Sequence, residues 1–236
     1  MDILVSDIPL LDQPEEMTTQ EHTYARLRAA IMTGALPPGH KLTIRGLADQ
    51  LHLSQTPVRE AIRRLSSENA IEVLENRRLR IPVMTSARFD ELVALRVALE
   101  THAALRCLPH LADRTIDALA AIDADLDELA RQGDAVGMTR LNHAFHRAMY
   151  CANPDQAAMP LIDSLWLQLG PFQRQLMAVA QHHYSIDRHK EILAALRRRD
   201  PAGLTEALQS DIRDGLTLAG RDLLAAAPSP RTRRPS

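Results

Sequence analysis

Apolar residues recur every three to four positions through the first third of the chain, which predicts three short helices there. Thr18 and Glu21 form a capping box that opens the first helix. The second helix is expected from its cap, Thr43, to Leu51. A three-residue turn, "HLS", separates it from the third helix, for which Ser54 is the expected cap.

A strand-type pattern interrupts the helices once. Two short runs rich in aliphatic residues, Ile71–Leu74 and Leu79–Val83, are separated by the polar sequence "ENRR", which predicts a β-hairpin. Three helices followed by such a hairpin make a winged helix-turn-helix, and the turn before the third helix has the length that this motif uses.

From Ser86 onward the pattern is helical only. A long amphipathic helix comes first, with Leu92, Leu95, Leu99 and Ala103 on its expected apolar face. Further helices are expected at about 113–132, 134–151, 155–180, 187–199 and 201–225. The predicted fold class is therefore mainly α, with an N-terminal winged helix-turn-helix domain and a C-terminal all-helical bundle of about six helices.

We expect four parts in this chain of 236 residues. Residues 1–17 form a flexible N-terminal arm and residues 18–84 the winged helix-turn-helix domain. Residues 86–225 form the helical bundle, which is the expected effector-binding and dimerisation domain. Residues 226–236 are rich in Pro, Ser and Arg, a composition typical of a disordered tail.

Charge is spread unevenly along the chain, although the formal net charge is only -2. Residues 19–84 hold ten Lys/Arg against six Asp/Glu, a local net charge of +4. A basic domain of this kind favours binding to the phosphate backbone of a nucleic acid. The sequence has no run of 18 apolar residues and no basic start of a secretory signal, so a cytoplasmic protein without membrane contact is expected. Cys107 and Cys151 are expected to be buried thiols.

The third helix, in "LSQTPVREAIRRL", has one apolar and one polar face. Its polar face carries Gln55, Thr56, Arg59 and Arg63. In a helix-turn-helix this face enters the major groove, where Gln pairs with adenine and Arg with guanine. A solvated surface helix is the alternative, but the motif spacing and the wing residues Arg77, Arg78 and Arg80 favour DNA.

The stretch from "GALPPGHK" through "TPVREA" to "LRIPV" resembles the DNA-binding domain of the GntR family of bacterial transcription regulators. The helical part resembles the FCD ligand-binding domain of the FadR subgroup, and together the two resemblances cover residues 19–225. They imply that Arg45, Arg59 and Arg63 touch operator DNA. The chain departs from the family pattern at Gln55, where Arg is usual, and at Arg78, where the wing usually has Gly.

Four polar residues of the bundle form a candidate metal site. Asn142 and His146 lie four apart in "LNHAFHRAM", on one helix face, whereas the intervening His143 is rotated away by about 100°. His189 and Asp211 fall on two later, consecutive helices. Mixed nitrogen and oxygen ligation suits zinc, nickel, manganese or iron better than calcium. With ten histidines in the chain, a chance pair on a helix surface is the alternative.

The FCD resemblance implies a divalent transition metal held by an acid and a histidine four apart, followed by two more histidines. Here Asn142 takes the place of the acid and Asp211 that of the last histidine, with zinc as the expected metal. The resemblance also implies a small organic acid as effector, whose carboxylate Arg96 or Arg174 could clamp. Each of these arginines is equally compatible with an ordinary ion pair.

The expected function is therefore that of a DNA-binding transcription regulator, not an enzyme. We expect a homodimer on double-stranded operator DNA, with repression relieved by the effector. A metal-dependent hydrolase, with Glu191 or Asp187 as base, is the alternative from another class, although no H-E-x-x-H pair is present. A DNA-binding protein without an effector is the third possibility.

Overall fold

The computed structural model of the protein describes residues 8–9, 11–75, 78–180 and 188–226. In this part of the chain three helices precede a long helical bundle, and three short strands form one sheet. The first helices are α1 (Thr19–Met32), α2 (Ile44–Leu51) and α3 (Gln55–Ser67), and the strands are β1 (Lys41–Leu42), β2 (Glu72–Val73) and β3 (Leu79–Arg80). The bundle contains α4 (Ser86–Cys107), α5 (Asp113–Gln132), α6 (Ala135–Tyr150), α7 (Met159–Ala180), α8 (His189–Arg198) and α9 (Pro201–Ala226). The predicted fold class is confirmed.

The three helices of the winged domain begin where the sequence predicts, and two of the three predicted caps form their hydrogen bond. Thr18 and Glu21 form the complete capping box of α1. The Thr43 side chain accepts a hydrogen bond from the backbone N–H of Gly46 at 3.0 Å and so caps α2. Ser54 occupies the predicted cap position of α3, but its side chain makes no hydrogen bond to the first turn of the helix.

The wing is a three-stranded antiparallel sheet in the order β1-β3-β2. The predicted hairpin is present, with Glu72 opposite Arg80. The Nε of Arg80 donates to Glu72 at 2.9 Å, so this wing arginine is engaged in an ion pair across the hairpin. Strand β1 was not predicted, because two residues are too short to carry an alternating pattern.

The core of the winged domain extends into the bundle. Val58, Ile62 and Leu65 of α3 are buried in it, as the sequence predicts. Leu167 of α7 is fully buried in the same cluster. At Gly170, one turn further along α7, an added Cβ atom would lie 2.5 Å from the backbone oxygen of Met32 at the end of α1. The two domains therefore touch directly along α1 and α7.

The buried face of α4 differs from the predicted one. Phe89, Leu92 and Ala103 are buried, but Arg96 and Glu100 occupy the positions between them. Leu95, expected in the core, is 47% exposed. The prediction failed because it assigned every buried position of this helix to an apolar residue.

The two cysteines also differ from each other. Cys107 is buried in the bundle core, as predicted, but Cys151 is exposed. Cys151 follows the last residue of α6, where the chain leaves the helix. In the part of the chain that the structure describes, no helix has the length and apolar character needed to cross a bilayer.

Candidate DNA-binding surface and metal centre

The polar face of α3 is open to solvent over its whole length. Gln55, Thr56, Arg59 and Arg63 are all exposed, and the apolar face of the helix anchors them to the domain core. Arg63 pairs with Glu60 of its own helix at 3.0 Å. Exposed pairs of this kind contribute little stability, so exchange of Glu60 for a phosphate or a base costs little.

The remaining predicted DNA contacts lie beside this helix. Arg45 of α2 is exposed and pairs with Asp49 at 3.8 Å. Arg78, at the wing, is exposed as well. Arg77 lies outside the described residues. The described arginines of this predicted set are therefore exposed, one on α2 and one on the wing.

Three of the four predicted metal ligands meet in the bundle core. The Nε2 atom of His146 on α6 lies 3.4 Å from Nε2 of His189 on α8 and 3.2 Å from Oδ2 of Asp211 on α9. One ligand atom from each residue can be chosen so that all lie within 4.8 Å of one another. Two ligands of a tetrahedral zinc ion, each about 2.1 Å from it, are about 3.4 Å apart. The spacing therefore fits a divalent metal.

Hydrogen bonds on the far sides of the two imidazoles orient them toward each other. Nδ1 of His189 lies 3.1 Å from Oδ1 of Asp123, and a carboxylate accepts, so this Nδ1 carries the proton. Nδ1 of His146 lies 3.3 Å from the Tyr150 hydroxyl, which itself donates to Glu100 at 2.9 Å and therefore accepts from His146. A ring whose single proton is on Nδ1 has its Nε2 lone pair free to bind a metal. A cation between two such rings removes the repulsion of the two lone pairs.

The charge of Asp211 suits the same centre. Burial would raise the pKa of this carboxyl, but its interactions with His146, His189 and Arg96 lower it overall. Asp211 is therefore held as a carboxylate, the form that binds a metal. Asn142, the fourth predicted ligand, is buried one helical turn before His146 on α6.

Asp123 was not predicted from the sequence. It is 4% exposed, on the buried face of α5 between Ile116, Leu119 and Leu126. A lone acid among apolar positions at helical spacing is the signal that could have identified it, because buried carboxylates require a partner. Its partner is His189, which the carboxylate fixes in one tautomer.

Arg96, predicted as an effector clamp, belongs to a buried network beside the metal centre. Glu100 is fully buried and accepts from Nε of Arg96 at 2.6 Å, from Tyr150 at 2.9 Å and from the indole of Trp166 at 2.9 Å. Desolvation lowers the pKa of Arg96, but the charge of Glu100 outweighs it, so the pKa rises overall. Burial and the Glu100 charge raise the pKa of Tyr150 well above its usual value, which keeps its hydroxyl a donor.

Arg174 and His143 lie elsewhere. Both line a cavity between the winged domain and the bundle, whose described lining contains none of His146, His189 and Asp211. The His143 ring stacks on Trp166 at a centroid distance of 4.8 Å. Burial, with the charges of Arg96 and His146, lowers the pKa of His143 to about 3, so this imidazole is neutral. His143 thus lines the interdomain cavity and is not part of the group formed by His146, His189 and Asp211.

Comparison with known proteins places both halves of this architecture in one family. The model of the bacterial regulatory proteins of the gntR family matches residues 19–81, and the FCD domain model matches residues 91–214. The chain belongs to the GntR family. Its helical bundle is an FCD domain, as in the FadR-like subgroup. This GntR-family chain is thus a DNA-binding transcription regulator, and α3 is its recognition helix.

Relatives of this GntR-family regulator cover most of its length. The HTH-type transcriptional regulator McbR of Escherichia coli is 30% identical over 193 residues, which span 79% of this chain and 87% of McbR. A solved structure of E. coli McbR/YncC matches 88% of this chain and 99% of its own with a TM-score of 0.80 and 26% identity. A regulator from Rhodococcus sp. RHA1, with a TM-score of 0.72 and 23% identity over 90% of this chain and all of its own, shares the fold.

The enzyme alternative finds no support in the arrangement of its groups. The GntR family consists of regulators, not enzymes, and the bundle belongs to it. Glu191, the base suggested for a hydrolase, pairs instead with Arg188 at 2.7 Å on the surface. The second suggested base, Asp187, lies outside the described residues.

Proposed function

We propose that this GntR-family regulator is a homodimeric repressor whose operator affinity is set by a metal-dependent effector site in the FCD domain. The observation that carries this proposal is the facing pair of Nε2 atoms on His146 and His189, with the Asp211 carboxylate beside them. Such a centre holds a divalent transition metal with positions left over for a ligand. The regulator would act in the cytoplasm, because its operator DNA is there.

The metal we propose is zinc, with nickel, manganese or iron as alternatives. Two imidazole nitrogens and a carboxylate oxygen suit all four ions, and a buried, compact set favours a four-coordinate ion. Asn142 would supply a fourth, weaker oxygen ligand from the same face of α6 as His146. Asp123 and Tyr150 would hold the imidazoles in the tautomers that the metal needs.

The effector we propose is a small carboxylate. A metal with open positions binds a carboxylate directly, and the positive charge of Arg96 acts on Asp211 at the same centre. We propose Arg96 as the cation that the effector carboxylate meets, with Glu100 as its partner in the absence of effector. Arg174, the second arginine predicted from the sequence, lines a different cavity, so we assign it no part in the metal-centred site.

Homodimerisation is proposed on the exposed face of α4. Ala94, Leu95 and Ala98 are exposed there, and Leu105 continues the stripe two turns further along. An apolar stripe on a helix of a soluble domain marks a surface that another chain covers. A dimer of this kind presents two recognition helices to a two-fold symmetric operator.

Repression is proposed partly on a relative. A protein of Paenarthrobacter nicotinovorans, 28% identical over 75% of this chain and 78% of its own length, is named the probable D-xylose utilization operon transcriptional repressor. In the proposed mechanism the effector favours a bundle conformation that misplaces the two recognition helices. A coupling free energy of about 1–3 kcal/mol lowers operator affinity about 5- to 150-fold.

Metal titration tests the centre directly. Purified protein is stripped with a chelator and titrated with Zn²⁺ by calorimetry, alongside the His146→Ala/His189→Ala variant. We expect one metal per chain in the native protein and at least about a hundredfold weaker binding in the variant, because two of its ligands are gone. Absence of binding by the native chain, or equal binding by the variant, refutes the metal centre. Gel shifts of the two proteins on the same operator then report separately on DNA binding.

A further inference from the structure

A cavity of about 1010 Å³ lies at the junction of the two domains. α1 of the winged domain lines it through Ala25 and Ala29, and α6 and α7 of the FCD domain line it through Arg140 and Arg174. Pockets for small molecules span about 300–1000 Å³. The cavity therefore has the size of a ligand site, and its lining comes from both domains.

The acids of this interdomain cavity are already paired with arginines. Asp163 lies 3.5 Å from Arg28. Glu68 lies 3.4 Å from Arg64, and the Arg64 guanidinium also stacks on the ring of Tyr24 at 3.8 Å from the centroid. Arg147 also contacts Asp163, at 2.5 Å, so Asp163 serves two arginines and neither acid of this part of the lining is left without a cation.

Arg140 and Arg174 are two further positive charges of the lining. Neither forms an ion pair with any residue that the structure describes, and both line the cavity. The stacked His143 ring and the apolar groups of Met32, Val136 and Pro160 complete their surroundings. Exposed Arg140 and half-buried Arg174 add positive charge to an otherwise largely apolar lining, which favours a ligand with one anionic group and an apolar body.

We propose that the interdomain cavity is a second ligand site, which binds a small apolar carboxylate whose charge Arg140 and Arg174 balance. This site goes beyond the proposed metal-centred effector site and does not need the metal. Its ligand touches α1, which packs directly on the recognition helix α3, and also touches α6 and α7. Binding therefore favours one arrangement of the DNA-binding domain on the FCD domain.

Calorimetric titration with 2-naphthoate and with its uncharged counterpart 2-naphthamide tests this site on the full chain. We expect naphthoate to bind the native protein, and naphthamide to bind at least about tenfold more weakly, because it lacks the charge. The Arg140→Gln/Arg174→Gln variant should bind naphthoate about tenfold more weakly, whereas Arg140→Lys/Arg174→Lys should recover part of the affinity.

Two control variants separate binding in this cavity from binding at the metal centre and from attraction to surface charge. The Arg114→Gln/Arg213→Gln variant removes the same charge from exposed positions of the bundle and should bind naphthoate like the native chain. The His146→Ala/His189→Ala variant should also keep naphthoate binding. Loss of binding in that variant would place the carboxylate at the metal centre and overturn the proposal.

Two further results would also overturn it: no naphthoate binding by the native chain up to about 1 mM, the range of weak sites, or equal affinity in the Arg140→Gln/Arg174→Gln variant. Thermal unfolding of each variant confirms that it is folded before titration. Because the metal titration depends on His146 and His189, and the naphthoate titration on Arg140 and Arg174, failure of one proposal leaves the other measurable.

Discussion

Single residues of the proposed metal centre are oriented by hydrogen bonds to their neighbours. His189 contributes its Nε2 atom only because Asp123 holds the proton on Nδ1. His146 depends in the same way on Tyr150, which in turn depends on Glu100. The proposed ligand atoms are therefore oriented by residues that are not themselves among the proposed ligands.

Asp123→Ala is expected to weaken Zn²⁺ binding about 10- to 100-fold, because His189 loses the acceptor that fixes its tautomer. Competition with a chromophoric chelator measures this affinity. Asp125→Ala, two residues along α5 at an exposed position, is the matched control and should leave the affinity unchanged. An unchanged affinity in Asp123→Ala would show that Asp123 does not orient the ligand.

The two cysteines are expected to differ sharply in reactivity. Burial raises the pKa of Cys107 to about 12, so at pH 8 almost none of it is thiolate, the form that attacks a disulfide reagent. Cys151 is exposed. Ellman's reagent should therefore titrate one thiol rapidly in the native chain and two in denaturant. Rapid reaction of a Cys151→Ser variant would contradict this assignment.

Among the helices, α3 is the element whose two faces have separate tasks. Val58, Ile62 and Leu65 hold it in the domain core, and Gln55, Thr56, Arg59 and Arg63 stay exposed on its other side. The helical spacing of these residues in the sequence was sufficient to predict both faces, because a helix converts spacing directly into direction.

Arg59→Ala is expected to reduce operator affinity about 10- to 100-fold, because a bidentate contact to guanine is worth about 1–3 kcal/mol. Gel shifts at physiological salt measure the change. Arg114→Ala, exposed on the bundle, removes an equal charge far along the chain and serves as control. Native affinity in Arg59→Ala would remove this residue from the DNA contact.

The sequence pattern did not predict a very short strand or a helix face that buries charged residues. Strand β1 has two residues and is defined only by its pairing with β3 across almost forty residues of chain. On α4 the buried face includes the Arg96–Glu100 ion pair, whereas Leu95 lies on the exposed face. The sequence shows an arginine and a glutamate four residues apart. Such pairs are usual on solvated helix faces, so nothing in the sequence indicated that this pair is buried.

For the whole molecule, the exposed stripe on α4 leads to a test of the proposed dimer. Leu95→Glu should convert a dimer to a monomer, since it places a charge on each side of a two-fold interface. Light scattering after size exclusion measures the mass. Leu161→Glu, at an exposed apolar residue of α7, is the control and should leave the mass unchanged. A dimer that persists in Leu95→Glu would exclude this face as the interface.

The sequence by itself determined the order of the helices, the outward face of the recognition helix and three residues that meet at the proposed metal centre. These are properties that spacing and local charge encode, because each depends on the geometry of one helix or on a family motif. Only the tertiary structure decided that Asp123 supports His189, that Arg96 is held by Glu100 and that Arg140 and Arg174 share an interdomain cavity. Each of these three arrangements depends on how separate elements pack or on which side chains become buried. The spacing of residues along the chain does not determine packing between elements or burial.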